Sequence, residues 1–282
     1  MRLFSLTTGV ILLSAALLTA AEPSTRPSSI NPNLPTLFLV GDSTMHNGTK
    51  GQEGWGDPIK AMFDRTKINV ENRAMGGRSS RTFRTEGRWE KTLADAKPGD
   101  FVIVQLGHND SGPLSGDDRN RGTIRGGGEE TKDVPKPDGS TETVHTYGWY
   151  MRQYAIEAKA KGMTPIICSY VPRCPRPTTQ PAAKVEAKTS STEPLTSYAL
   201  WSKEAADATG SQFVDLYSII RKHWEPYTAE EIKTKFFTEA DFTHTNPEGA
   251  KLNAACVVEG LRQTKSPLVR YLATDAVKSA SR

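Results

Sequence analysis

Cysteine is scarce in this chain: three residues in 282, at positions 168, 174 and 256. So low a count excludes a scaffold built on disulfides, and no pair has the spacing of a zinc site. An odd number leaves at least one thiol without an intramolecular partner, while a Cys168–Cys174 bridge stays open to the sequence. Charge of one sign is lacking as well. Thirty-six Lys and Arg against 32 Asp and Glu leave a net charge of +4. No dense basic arm tracks phosphates, so nucleic acid is not an expected partner, whereas an anionic substrate stays open. Long hydrophobic runs are missing after the N-terminus, where a membrane span would need roughly 20 apolar residues. There is no internal repeat, which excludes a solenoid.

What is present begins with an address. Arg2 precedes an apolar run to Ala20 that closes on the small residues of Leu17-Leu18-Thr19-Ala20-Ala21. Residues 1–21 therefore read as a signal peptide cleaved near Ala21, and the expectation is a secreted or periplasmic protein with no membrane attachment afterwards. Residues 22–35 are rich in Pro, Ser and Asn without an apolar period and read as a linker or N-terminal extension. Residues 36–282 are long enough for one substantial core and short for two. With 36% hydrophobic and 24% charged residues, the composition is that of a soluble globular domain.

Five short apolar runs punctuate that domain, at 36–40, 67–71, 101–106, 164–168 and 212–216. Continuous rather than alternating, they read as strands buried on both faces, as in a parallel sheet. Between them lie helical patterns at 146–161, stopped by Gly162, and at 197–209, stopped by Gly210. A third opens at Asn246-Pro247, a capping residue followed by proline, and runs to Leu261. The alternation predicts a three-layer α/β/α sandwich around a five-stranded parallel sheet. Two segments break the pattern. The polar, glycine-rich stretch 111–144 follows a strand end and reads as a rim of the cleft; 172–193, rich in Pro, Thr, Ala and Lys, reads as a surface insertion.

Four blocks carry chemistry-bearing side chains. Gly41-Asp42-Ser43-Thr44 directly follows the first strand, at the end where ligands bind in such sheets. Asn72-Arg73-Ala74-Met75-Gly76-Gly77-Arg78-Ser79-Ser80 follows the second, and its glycines let backbone N–H groups approach a ligand closely. Gly107-His108-Asn109-Asp110 follows the third and offers a side-chain amide as an oxyanion donor. Asp241-Phe242-Thr243-His244 precedes the last helix, with a carboxylate three residues before an imidazole, close enough to fix its tautomer. Singly, each block is also what a helix cap, a glycine turn, an Asx-turn or a surface ion pair would show. Together they fall in order, each at the end of a predicted strand or before the last helix.

These blocks resemble those of the SGNH (GDSL-type) hydrolases over about residues 36–261. The stretches 72–83, 107–110, 145–152 and 241–250 are similar to rhamnogalacturonan acetylesterases, which deacetylate pectin. The resemblance implies a flavodoxin-like fold, with Ser43 as nucleophile, His244 as general base and Asp241 as its orienting carboxylate. It implies oxyanion donors at the backbone N–H groups of Ser43 and Gly77 and the side-chain amide of Asn109, the glycine being uncertain by one position because Gly76 is adjacent. The expected partner is an acetylated polysaccharide or oligosaccharide, the expected state a monomer, and neither a metal nor an organic cofactor is called for. The chain order Ser, Asp, His also occurs in α/β-hydrolases, but Gly41-Asp42-Ser43-Thr44-Met45 is not their G-x-S-x-G elbow.

Other side chains offer binding chemistry. Arg81, Arg84 and Arg88 would share a helix face and pair with Glu86, Glu90 or Asp95. Arg78, nearest the blocks, is the candidate for gripping a substrate carboxylate. His46, His108, His145 and His223 lack metal-ligand spacing and read as structural or surface residues. Trp55, Trp149 and Trp201 read as core or cleft-wall residues, with sugar stacking as the alternative.

Overall fold

The computed structural model describes residues 30–116, 119–136, 138–176, 197–239 and 241–274. The signal-peptide reading, residues 22–29 and the surface insertion from residue 177 onward lie outside the described residues. Pro32–Arg282 form one compact unit; Met1–Asn31, the other unit, is almost wholly outside them.

The elements run β1 (Thr36–Gly41), β2 (Asn69–Asn72), α1 (Thr82–Thr85), α2 (Arg88–Asp95), β3 (Phe101–Gln105), β4 (Thr131–Pro135), β5 (Thr141–His145), α3 (Tyr147–Ala160), β6 (Thr164–Cys168), α4 (Ser197–Thr209), β7 (Gln212–Val214), α5 (Leu216–Trp224), α6 (Ala229–Phe236) and α7 (Pro247–Gln263). Five strands form one sheet in the order β2-β1-β3-β6-β7, and every pair in it is parallel. The predicted sheet is therefore the observed one. Its order is flavodoxin-like, reversing beside β1, and in such sheets ligands bind outside the carboxyl ends of the strands at the reversal.

The continuous apolar runs have a direct cause. Leu37 and Leu39 of β1 and Ile103 of β3 point into a core closed by α5, α6 and α7, through Ile220, Ile232 and Val257. Phe38, Val40, Val102 and Val104 point the other way, against Trp89 of α2, Met151 and Tyr154 of α3 and Ala205 of α4. Both faces are covered, so period-two alternation disappears. Fully burying each large apolar side chain contributes roughly 1.5–3 kcal/mol, and two such cores fix the strand ends in space.

The helix signals hold to within two residues. Thr146 caps α3 by accepting from the Trp149 N–H, and Asn246 caps α7 by accepting from the Gly249 N–H, with Pro247 at the first helical position. Two expectations need correction, and one open question is answered. The run 212–216 is strand only to Val214, because Asp215 turns and caps α5 by accepting from the Ser218 N–H. The segment 111–144 is not all loop, since β4 and β5 pair as an antiparallel hairpin. Cys168, Cys174 and Cys256 are all buried and all free, so the Cys168–Cys174 bridge is not formed.

Candidate active site

The site grows out of the carboxyl end of β1. Gly41 ends the strand in a close approach: a Cβ there would meet the Gln105 carbonyl at 2.9 Å and the Met45 side chain at 2.8 Å. The chain then turns sharply, with the Asp42 carbonyl accepting from the N–H groups of Met45 and His46, each at 3.1 Å. Asp42 Oδ1 accepts from the Thr44 N–H at 2.9 Å and from its hydroxyl at 2.7 Å. Ser43 sits at the crest of this braced turn.

Residue 244, 201 positions away, meets it there. Ser43 Oγ lies 2.7 Å from His244 Nε2. On the other side of the ring, His244 Nδ1 lies 2.5 Å from Asp241 Oδ2. An ionised carboxylate can only accept, so the proton belongs on Nδ1 and Nε2 is left to accept from the Ser43 hydroxyl. Asp241 Oδ1 also accepts from the N–H groups of Thr243, at 2.6 Å, and His244, at 3.1 Å. Partial burial works against the Asp241 charge, but the bonds from the His244 ring and from these two N–H groups prevail. They hold its pKa down at about 2. Gln52, which carries no sequence signal, donates to Asp241 Oδ2 at 3.3 Å and is itself held by Asn47 at 2.9 Å.

The second block lies against the first. A Cβ on Gly76 would stand 3.5 Å from Ser43 Cβ. Met75 to Arg78 form a turn closed by the Arg78 N–H on the Met75 carbonyl at 3.3 Å, with Gly77 at its third position and φ of +78°. That position favours glycine, which pays no steric cost at positive φ. Asn109, after β3, donates through Nδ2 to the Arg78 carbonyl at 3.0 Å. Ser43, the glycine pair and Asn109 are thus joined by successive contacts at one end of the sheet.

Beneath them, Asp110 ties the blocks together. It accepts from the Ser80 hydroxyl at 2.5 Å and from the Ser80 N–H at 3.0 Å. Complete burial raises its pKa to about 7, with the nearby Asp42 carboxylate adding to the rise and the Ser80 bonds opposing it. Burial likewise pushes the His108 imidazole below its ordinary value, favouring the neutral ring.

The arginines follow the expectation only in part: Arg88 pairs with Glu86 at 2.7 Å. A glycine with φ of +71°, Gly87, separates α1 from α2, so Arg81, Arg84 and Arg88 do not share one helix face. Arg81 is only 1% exposed. It grips Glu142 of β5 through two 2.7 Å contacts and donates to the carbonyls of Leu114, at 2.7 Å, and Gly122, at 3.0 Å. Arg84 forks onto Glu157. Arg78 donates through Nε to both oxygens of Glu86 and through Nη1 to the Gly76 carbonyl, so it already holds a carboxylate. Two other arginines reach the site without any sequence signal. Arg119 lies over Gly77, its NH1 standing 2.4 Å from where a Cβ on that glycine would be. Arg121 donates to Asn109 Oδ1 at 3.0 Å.

The remaining candidates fall elsewhere. His46 pairs with Asp57 and His223 with Glu259. His145 stacks on Trp149 with ring centroids 3.6 Å apart. Trp55 is buried and donates to Gln105 at 2.9 Å, which makes it a core residue.

Residues 39–252 match the GDSL-like lipase/acylhydrolase family. The chain belongs to that family. It is a carboxylic ester hydrolase, of the SGNH type that the four blocks resemble. Among its relatives is a rhamnogalacturonan acetylesterase of Emericella nidulans, 33% identical over 78% of this chain and 81% of the relative. A probable rhamnogalacturonan acetylesterase of Bacillus subtilis is 29% identical over 84% of this chain and 96% of its own length. Among solved structures, the YxiM protein of Bacillus subtilis superposes with a TM-score of 0.64 at 24% identity; the match covers 83% of this chain and only 58% of that one. An acetylxylan esterase of Geobacillus stearothermophilus superposes with a TM-score of 0.51 at 18% identity, over 83% of this chain and 95% of its own. At these identities the superpositions establish the fold.

Proposed function

We propose that this hydrolase is an exported carbohydrate esterase that removes acetyl groups from a pectic, galacturonate-containing polysaccharide through an acetyl-enzyme on Ser43. The observation that carries the reading is the unbroken series of Ser43 Oγ, His244 and Asp241, with contacts of 2.7 and 2.5 Å. A serine hydroxyl is a weak nucleophile at neutral pH and needs a base within hydrogen-bond reach. His244 Nε2 takes the hydroxyl proton as Ser43 Oγ attacks the acetyl carbonyl carbon. Asp241, ionised down to about pH 2, stabilises the imidazolium that forms. The negative oxygen is met by the N–H groups of Ser43 and Gly77 and by the Asn109 amide. One such donor is typically worth about 3 kcal/mol in the transition state. His244 passes its proton to the departing sugar oxygen. It then takes a proton from water as the water oxygen attacks the acetyl-enzyme, and returns that proton to Ser43 Oγ as the Oγ–acyl bond breaks and acetate leaves.

The charge around the site supports an anionic polymer. Arg119 and Arg121 flank the oxyanion side, and Arg173 donates to the Thr243 hydroxyl, next to His244, at 2.8 Å. A guanidinium is suited to uronate carboxylates. At Arg78 such a carboxylate would have to exchange with Glu86. The two acetylesterase relatives point to the same substrate class. The apolar leader at residues 3–20 supports export.

The test is acetate release from acetylated rhamnogalacturonan, acetylated xylan and a p-nitrophenyl acyl series, by wild type and Ser43→Ala. The reading expects Ser43-dependent release, fastest on rhamnogalacturonan. Equal release by both proteins overturns the nucleophile; preference for xylan or for long acyl chains overturns the substrate.

A further inference from the structure

The loop after the third block, which in sequence is a polar stretch without period, returns to the catalytic centre and places Arg121 on the oxygen of the Asn109 amide at 3.0 Å. We propose that Arg121 is a positioning residue for the oxyanion hole, acting through Asn109; the proposal rests on the esterase reading above.

The geometry of the amide leads there. Asn109 has one acceptor oxygen and two N–H donors on Nδ2. Its oxygen is taken by Arg121 and one of its N–H groups by the Arg78 carbonyl at 3.0 Å. These two anchors lie at opposite ends of the planar amide, so they fix its rotation about the side-chain bond. The second N–H is the one left to meet an oxyanion. Without Arg121 only the Arg78 carbonyl opposes a half-turn of the amide that would present its oxygen to the charge the hole has to stabilise. The guanidinium is also cationic and one amide away from the developing charge. Withdrawing electron density through the amide oxygen strengthens the N–H as a donor.

The loop is built to hold Arg121 in place. Its neighbour Gly122 is packed so tightly that a Cβ would meet the carbonyl oxygens of Gly112 and Pro113, each at 2.3 Å. The Gly122 N–H donates to the Pro113 carbonyl at 3.1 Å, and the Gly122 carbonyl accepts from buried Arg81 at 3.0 Å. The Thr123 N–H donates to the Asp110 carbonyl at 3.0 Å, which returns the loop to the third block. Arg121 is thereby carried on a braced segment from which it reaches Asn109.

The experiment is a double-mutant cycle on p-nitrophenyl acetate, a small uncharged ester that needs no cation for binding. The enzymes are wild type, Arg121→Ala, Asn109→Ala and the double variant, with Arg121→Lys as the conservative variant and Ser43→Ala as a separate control on the esterase reading. Losing one oxyanion donor costs about 100- to 1,000-fold in kcat. Arg121→Ala is expected to lower kcat by roughly 10- to 100-fold with KM nearly unchanged, as displacement of a catalytic group by about 1 Å does. In the Asn109→Ala background the same change is expected to cost less than about threefold, since the residue it works through is gone. Lysine is expected to restore part of the rate. Equal losses in both backgrounds, or a change confined to KM on galacturonate-bearing substrate with full kcat on the small ester, would overturn the proposal. Circular-dichroism melting of all variants separates loss of fold from loss of rate.

Discussion

Asp241 and His244 are joined twice: the carboxylate touches the ring Nδ1 at 2.5 Å with one oxygen and accepts the His244 backbone N–H at 3.1 Å with the other. A spacing of three residues allows this within a single turn of chain, so the imidazole is oriented by its own loop. Replacing Asp241 by Asn presents an amide to Nδ1 and invites the wrong tautomer. The expected result is a fall in kcat of roughly 10⁴-fold with the fold intact, by analogy with the serine-protease triad. Steady-state kinetics on p-nitrophenyl acetate, alongside a melting curve, checks it.

The Asn109 amide is the one side-chain donor assigned to the oxyanion. Asn109→Ala is expected to reduce kcat by about 100- to 1,000-fold while leaving KM within a few-fold. A KM effect of that size with kcat unchanged would instead assign the residue to substrate binding.

Asp110 sets a dependence of stability on pH. Its folded pKa of about 7 stands well above the ordinary carboxylate value near 3.8, chiefly because it is completely buried. The folded state therefore holds this proton more tightly than the unfolded chain does. The stability tied to it is fully present below about pH 4 and is lost as pH rises through 7, with a slope on the order of 1 kcal/mol per pH unit in between. Asp110→Asn keeps an acceptor for the Ser80 N–H and removes the titration. Urea unfolding at several pH values from 4 to 8 is expected to show a flatter profile for the variant over that window. Parallel profiles would contradict the assignment.

Buried Arg81 pairs with partly buried Glu142 and donates to the Gly122 carbonyl, which fastens the hairpin to the loop carrying Arg121. Truncating Arg81 leaves partly buried Glu142 unpaired and the Leu114 and Gly122 carbonyls without this donor, a cost of about 1–3 kcal/mol. Arg81→Ala is expected to lower the melting temperature by several degrees, whereas Arg88→Ala, half of an exposed pair with Glu86, is expected to change stability by less than about 1 kcal/mol. Differential scanning calorimetry of both variants measures the contrast.

The sheet was legible because its strands are buried on both faces and so read as unbroken apolar runs, from Leu37-Phe38-Leu39-Val40 to Ile166-Ile167-Cys168. The hairpin was not, because β4 and β5 bury one residue each, Val134 and Val144, and their exposed polar remainder has no period to detect. Ser43, Asn109, Asp241 and His244 stand out as candidates in the sequence since each follows a strand end or precedes a capped helix. Arg119, Arg121 and Gln52 could not. Their relevance comes from a chain reversal that brings them to Gly77, Asn109 and Asp241, and no local pattern encodes that reversal. Local spacing pairs Arg81 with Glu86, Glu90 or Asp95, whereas its partner Glu142 lies 61 positions away, on a hairpin without a sequence period.

The most direct measurement is covalent capture of the nucleophile. Treatment with a fluorophosphonate, followed by intact-mass and peptide mass spectrometry, is expected to show a single adduct on the peptide containing Ser43, formed at least about 100-fold more slowly in His244→Ala. An adduct on any other residue, or labelling at the same rate without His244, would contradict the account.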